Sequence, residues 1–237
     1  MVLGLLFISF FLYFSRTMWV AIILLLIGSF GYSRISLKAI KYISLALILI
    51  FSLYVYLYSI DIERDQKGFS AFLYKVKIAP EEIFHTNIDI NNHVDLWDHW
   101  RAYEANMAFA QMKGFQHIYG RGLGSLVDLH FVAPLNDKGM QFISHLHNGY
   151  AMVYYKTGVF GLFIYLLFLI NLYLFAFKKR FAKFELPITN LIASIGIYLA
   201  FSSLIITGVY NLNDVYLFAL GGLLSQYDKL RTKELIV

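Results

Sequence analysis

Five or six apolar runs partition this chain: residues 1–14, 17–31, 42–60, 149–177, 188–207 and 211–226. Crossing a bilayer takes about 20 apolar residues of helix, so most of these runs read as membrane spans, the opening one being short. Hydrophobic residues make up 59% of the chain and the mean hydropathy is +0.62, against roughly 45–50% apolar content in soluble domains. The 22 Phe and 18 Tyr suit a protein that meets two membrane–water interfaces. The expected fold is all-α: a polytopic transmembrane helical bundle with one large extracytoplasmic loop. The opening run has no basic segment before it and no Ala-x-Ala-like cleavage site, so it reads as part of a helix and not as a signal peptide. The chain is therefore expected to be a fragment or a shortened version of something larger.

Charge gives the orientation. Arg34, Lys38 and Lys41 lie in one short loop, Lys178, Lys179, Arg180 and Lys183 in another, and Lys229, Arg231 and Lys233 in the tail. They alternate with the Ser15-Arg16 turn, the 61–148 segment and the Asn211–Asp214 turn, so the positive-inside rule puts the basic loops in the cytoplasm. Eight Lys/Arg against eleven Asp/Glu in 61–148 agree with an outer location. Residues 1–60 are expected as transmembrane helices, 61–148 as the extracytoplasmic loop carrying the site, 149–226 as transmembrane helices and 227–237 as a cytoplasmic tail. A net charge of +5 spread in this way reports membrane orientation and argues against a nucleic-acid partner. With no Cys, disulfides and thiolate metal sites are excluded.

All seven histidines (His85, His93, His99, His117, His130, His145 and His147) lie in 61–148. His145-Leu146-His147-Asn148 stands at the mouth of the 149–177 run, where polar residues are expensive to keep without a reason. A helix over 149–177 is roughly 43 Å long at about 1.5 Å per residue, more than the hydrocarbon needs, so its first turns with Tyr150, Tyr154, Tyr155 and Lys156 should stand at or above the interface. Asn148 is the expected N-cap, which places His147 beside the positive end of the helix dipole. Anions are attracted there and a neutral imidazole is favoured. Upstream, Leu96, Trp100, Tyr103, Met107 and Ala110 recur at three- and four-residue steps and predict an amphipathic helix. Gly120-Arg121-Gly122-Leu123-Gly124 then supplies a flexible turn.

Taken together, Ser15-Arg16-Thr17 opening a helix, an Arg-led helix at Arg101, Gly120-x-Gly122, and His147-Asn148 followed after nine residues by Gly158-Val-Phe-Gly161 resemble the O-antigen ligase and O-antigen polymerase superfamily. The last motif matches in full. The Arg-led helix departs from the family pattern, with Ala105 where Trp is frequent, and Lys156 stands where the family often has an acidic residue. The resemblance covers roughly residues 15–177 and makes the chain look like a C-terminal half, with an N-terminal half as a missing partner.

The resemblance implies transfer of a glycan from an undecaprenyl diphosphate carrier to a sugar hydroxyl at the outer face of the bacterial cytoplasmic membrane. It implies a metal-independent, inverting glycosyltransferase without cofactor, active in lipopolysaccharide or polysaccharide biosynthesis, with a glycan or lipid A–core acceptor and membrane lipid around it. The diphosphate leaving group gains charge as the glycosidic bond breaks, which suits permanently charged, bidentate Arg16 and Arg101. His147 is the expected general base, with Asn148, Gly158, Gly161, His145 and Arg121 in support. Plainer readings stand beside these. Arg16 is explained equally by snorkelling, Arg101 by ion pairing with Asp98 and Glu104, and Arg121 as a loop charge. His145 and His147 also suit half of a metal site, with His93 and His99 as possible partners. His85, His93, His117 and His130 read as ordinary loop residues. The alternative function is a non-catalytic membrane protein, a lipid-linked glycan transporter half or a degenerate ligase fragment. A flippase would carry charges deep in several spans, and residues 42–60 and 158–177 carry none.

The charge alternation predicts that reporter fusions at His130 give periplasmic-type activity and fusions at Lys183 do not. The reverse pattern would overturn the topology.

Overall fold

The computed structural model describes residues 16–32, 34, 36–64, 67–178, 185–210 and 215–236. Helix dominates, as expected for an all-α membrane protein. Three of the described helices are long and apolar enough to cross a membrane: Leu37–Ser59, Gly149–Phe177 and Pro187–Ile205. Helix α1 (Arg16–Ser29) is apolar and shorter. The run 1–14 lies outside the described residues. Residues 211–214 of the run 211–226 lie outside the described residues. From Tyr216 the run lies in a helix, Tyr216–Ile236, that continues into the basic tail.

The chain divides into two compact units. The first comprises residues 1–34, 166–202 and 212–237. Here small residues allow close helix approach, since a bilayer offers no hydrophobic drive between helices and contact distance matters most. A Cβ on Gly28 would lie 2.0 Å from Ser194 Oγ, and one on Gly196 would lie 2.7 Å from Leu172 Cβ. Asn190 Nδ2 donates to the Ser29 carbonyl at 3.3 Å, and Arg34 Nε donates to the Ala176 carbonyl.

The second unit, residues 35–165 and 203–211, carries the candidate site. Helix α2 (Leu37–Ser59) opens on Ser36, whose hydroxyl accepts from Ala39 N–H, and leaves nearly all its apolar side chains exposed, as a lipid-facing helix does. Four short helices follow: α3 (Phe69–Lys77), α4 (Glu81–Phe84), α5 (His93–Asp98) and α6 (Trp100–Ala110). Asp98 is buried among Tyr74 Oη (2.8 Å), Lys75 Nζ (3.0 Å) and Arg64 (3.1 Å). Burial alone would raise its pKa, but hydrogen bonds from Tyr74 and Lys75 and the charges of Lys75 and Arg64 hold it below the ordinary value. The amphipathic helix is broken at His99, and its inward face is Leu96, Trp100 and Tyr103, with Met107 half-buried and Ala110 exposed.

Helix α7 (Gln116–Tyr119) leads into the glycine turn. The exception to an all-α fold is a hairpin of β1 (Val127–Ala133) and β2 (Met140–Ile143), antiparallel with Val127 opposite Ile143 and Asp128 opposite Phe142. Gln111 at the end of α6 fastens it, donating to the Asp128 carbonyl at 2.7 Å and accepting from its N–H at 3.0 Å. Tyr103, Leu129, Leu146, Met152 and Tyr155 close the core between α6, the hairpin and the start of α8 (Gly149–Leu174).

The 149–177 helix is not continuous. Gly158 has φ 68° and ψ −167°, which breaks α8 and frees carbonyls of the turn before it. The glycine turn takes these up: Arg121 N–H donates to the Tyr155 carbonyl at 2.9 Å and Gly122 N–H to the Lys156 carbonyl at 3.0 Å. Approach is so close that a Cβ on Gly120 would lie 2.3 Å from the backbone at Lys156 and Thr157, and one on Gly158 would lie 2.2 Å from the Ile118 carbonyl oxygen. Lys156 Nζ turns back to the Leu123 and Ser125 carbonyls at 2.9 and 2.8 Å. Past the break, Val159 to Phe177 is about 28 Å of helix, close to the roughly 30 Å hydrocarbon thickness.

Ala normally stabilises a helix relative to Gly by about 0.5–1 kcal/mol. At Gly158 the left-handed φ and the backbone contact reverse that sign. Gly158→Ala is expected to lower the thermal midpoint in detergent by several degrees, and Gly221→Ala, with open space around it, to leave it unchanged or raise it. Equal midpoints for both would contradict the interlock.

Candidate active site

Asn148 caps α8 as expected: its Oδ1 accepts from Ala151 N–H at 3.0 Å and its carbonyl from Met152 N–H. The residue before it does something the spacing does not reveal. His147 gives both its backbone N–H (2.7 Å) and its ring Nδ1 (3.0 Å) to the carboxylate of Glu104 on α6. Glu104 is 1% exposed. A buried carboxylate without partners is strongly unfavourable, so this pairing holds the 144–148 segment to α6. The carboxylate accepts only, which places the ring proton on Nδ1 and leaves Nε2 as the free nitrogen. The His147 side chain is 53% exposed, so the ring is anchored on one edge and open on the other.

The Glu104 hydrogen bond is the largest influence on His147 and raises its pKa above the ordinary 6.5, overcoming the opposite effect of burial. The Arg101 charge also works downward. The expectation that the helix N-terminus keeps His147 neutral is therefore corrected. A carboxylate beside Nδ1 outweighs the partial charge of a helix end. The pair's contribution to stability is full below 6.5 and is lost as pH rises through the raised value.

Arg101 does not pair with Asp98 or Glu104. Its Nη1 donates to Glu82 on α4, while its Nε is buried with no hydrogen-bond partner among the described residues. Asp98 is occupied by Arg64, Lys75 and Tyr74 instead. Arg121 donates to Tyr155 Oη at 2.9 Å and to Gln111, and its guanidinium lies 5.4 Å from the Tyr155 ring centre. It is a brace between the glycine turn and α8. His145 is exposed and shares a hydrogen bond with Ser144, Leu146 between the two histidines being buried in the core. Gly158 makes the helix break, and Gly161 leaves space for Thr157, whose Oγ1 would lie 1.9 Å from a Cβ there. The side chain of Arg16 lies outside what the structure describes.

One groove is lined by residues of α6 and of the start of α8. It encloses about 500 Å³ and is lined chiefly by apolar and aromatic side chains, among them Phe84, Ala105, Phe109, Ala151, Tyr154 and Leu162, with Asn106 and Asn148 as its polar members. Its lining includes Ala105 and Asn148, the sequence neighbours of Glu104 and His147, and Leu162 beyond the helix break. Glu104 is the residue the sequence hides. It sits between Tyr103 and Met107 near an apolar stripe, and the signal for it is a carboxylate on an inward helix face.

The structure thus brings His147, Asn148, Glu104 and Arg101 into one neighbourhood, and Gly120, Gly122, Arg121, Lys156 and Gly158 into another beside it. No curated protein and no solved structure shows a significant match to the chain. A family model described as O-antigen ligase matches residues 1–166, a range that contains both groups of residues. The chain belongs to the O-antigen ligase family, and so to glycan transfer of the O-antigen ligase type in general.

Proposed function

We propose that the chain is a multi-pass protein of the bacterial cytoplasmic membrane that transfers a glycan from undecaprenyl diphosphate to a sugar hydroxyl, with residues 61–148 on the outer side. The observation that carries this reading is the buried Glu104 carboxylate on His147 Nδ1. It orients the imidazole and fixes its tautomer, as a carboxylate does for a catalytic histidine in general. In the proposed step, His147 Nε2 takes the proton of the acceptor hydroxyl as that oxygen attacks the anomeric carbon from the face opposite the diphosphate. The bond from the anomeric carbon to the diphosphate oxygen breaks with its electron pair, and the carrier diphosphate leaves with the anomeric configuration inverted.

The leaving diphosphate gains charge, and Arg101 supports it. One edge of its guanidinium is tied to Glu82, and its side chain is still 31% exposed. Arg16 is assigned to the same diphosphate by its sequence context alone. The groove suits the isoprenoid part of a lipid-linked donor, because its lining is chiefly apolar and includes Leu162 of a membrane-length helix.

A transfer assay with an undecaprenyl diphosphate-linked glycan and a lipid A–core or glycan acceptor tests the reading. His147→Ala should lose about 10²–10⁴-fold in rate, the usual contribution of a positioned base, with carrier binding largely kept. Transfer by His147→Ala at the wild-type rate would sink the mechanism. Wild-type binding of the carrier with no transfer would favour a non-catalytic protein. Arg101→Lys should also lose most activity, because a point charge cannot reproduce the guanidinium fork. Full activity there would leave Arg101 as the partner of Glu82 alone.

A further inference from the structure

We propose that residues 113–126, α7 with the glycine turn, form a lipid-seating surface in the phospholipid headgroup layer where α8 enters the membrane. The sequence sets this segment apart from the rest of 61–148. That stretch carries eleven Asp/Glu, yet none lies between Glu104 and Asp128. The charges there are Lys113 and Arg121, and Phe115, Ile118, Tyr119, Leu123 and Leu126 stand among them.

All five of these large side chains are exposed, Phe115 by 80%, Leu123 by 73% and Tyr119 by 70%. Phe115 opens the helical turn, its carbonyl accepting from the N–H groups of Ile118 and Tyr119 at 3.0 and 3.1 Å. Residues at i, i+3 and i+4 share one side of such a turn, so Phe115, Ile118 and Tyr119 make one apolar face. His117 lies off that face and shares a hydrogen bond with Tyr154 Oη at 2.7 Å. A contiguous apolar face with cations at its rim marks an interaction surface.

The backbone contacts of the turn decide what covers it. A Cβ on Gly158 would lie 2.2 Å from the Ile118 carbonyl oxygen and 2.6 Å from the Gly120 nitrogen, so the turn touches α8 at its break. Directly past the break, Val159, Phe160, Phe163 and Ile164 are exposed, as the side chains of a lipid-facing span are. The headgroup layer adds about 5–8 Å to each side of a roughly 30 Å hydrocarbon core. With Val159 to Phe177 filling the hydrocarbon, backbone in contact with Gly158 sits inside that layer. Aromatic rings belong at this depth, and Lys and Arg reach from it to phosphate. The lack of carboxylates in the segment fits a phosphate surface for the same reason. This inference rests on α8 as a span and not on the chemistry assigned to His147. The Gly120–Gly158 joint then also sets the depth at which the unit carrying His147 sits.

The test uses the full chain, whose lack of Cys lets single labels be placed without removing any native thiol. Leu123→Cys and Tyr119→Cys, each carrying a nitroxide, are compared in phosphatidylethanolamine/phosphatidylglycerol liposomes with Lys138→Cys, exposed in the hairpin turn, and Phe163→Cys in α8. Oxygen partitions into lipid and a water-soluble nickel chelate does not, so the ratio of their collisions with the label reads its depth. The labels at Leu123 and Tyr119 should lie near the phosphate level, between the Phe163 label in hydrocarbon and the Lys138 label in water. Depths equal to that of the Lys138 label would overturn the proposal. Protection from both reagents, as beneath a second copy or another protein, would do the same. A Phe163 label in water would remove the span and the proposal with it. None of these readings depends on transfer, so loss of the reaction assigned to His147 would leave the test standing.

Discussion

The hydrogen bonds from His147 to the buried carboxylate of Glu104 are the contact on which the rest of the site depends. Glu104 lies inside the core that α6 makes with the hairpin and with α8, where an unpaired charge would be prohibitive. Two donors from one residue satisfy it, and in doing so they fix the 144–148 segment in both backbone and ring. Asn148 then follows in place to cap α8, and the wall of the groove from Asn148 through Ala151 to Tyr154 is set by the same helix start. Leu146, buried between two exposed histidines, adds the apolar anchor.

The second constraint is backbone geometry. The break at Gly158 exposes carbonyls at the point where α8 passes from its membrane-length part to its short opening turns, and the amides of Arg121 and Gly122 take them. Gly120 and Gly158 touch backbone to backbone, so each glycine is required by the other's position. Two motifs far apart in sequence are thus one structural joint, and Lys156 and Arg121 reinforce it from either side. This explains why a chain can carry Lys156 at that point: its ammonium serves the carbonyls of the turn.

Periodicity and charge were enough to read the membrane-length helices over 42–60, 149–177 and 188–207, because lipid imposes length and apolarity directly. The cap at Asn148 was equally legible, since capping is a local rule. Non-local contacts were not. Arg101 has acidic neighbours at three residues on either side, yet Asp98 and Glu104 are drawn to Lys75 and His147, and Glu82, distant in sequence, takes the arginine. For the same reason the dipole argument at His147 failed, since it counted the helix end and not a carboxylate arriving from α6. The hairpin escaped because Val127–Ala133 alternates only weakly and carries an irregularity, with His130 at φ 60°. The break at His99 interrupts a stripe whose spacing is otherwise helical.

The pH dependence of glycan transfer, compared between the wild type and Glu104→Gln, tests the account most directly. A base must be neutral, and Glu104 raises the His147 pKa, so wild-type transfer should fall away as pH drops through a midpoint above 6.5. Removing the carboxylate's charge leaves burial and Arg101 to act in the opposite direction. The acid limb of Glu104→Gln should therefore move to lower pH, while its maximal rate falls as the ring loses its orientation. The same midpoint in both proteins would contradict the claim that Glu104 holds and tunes His147.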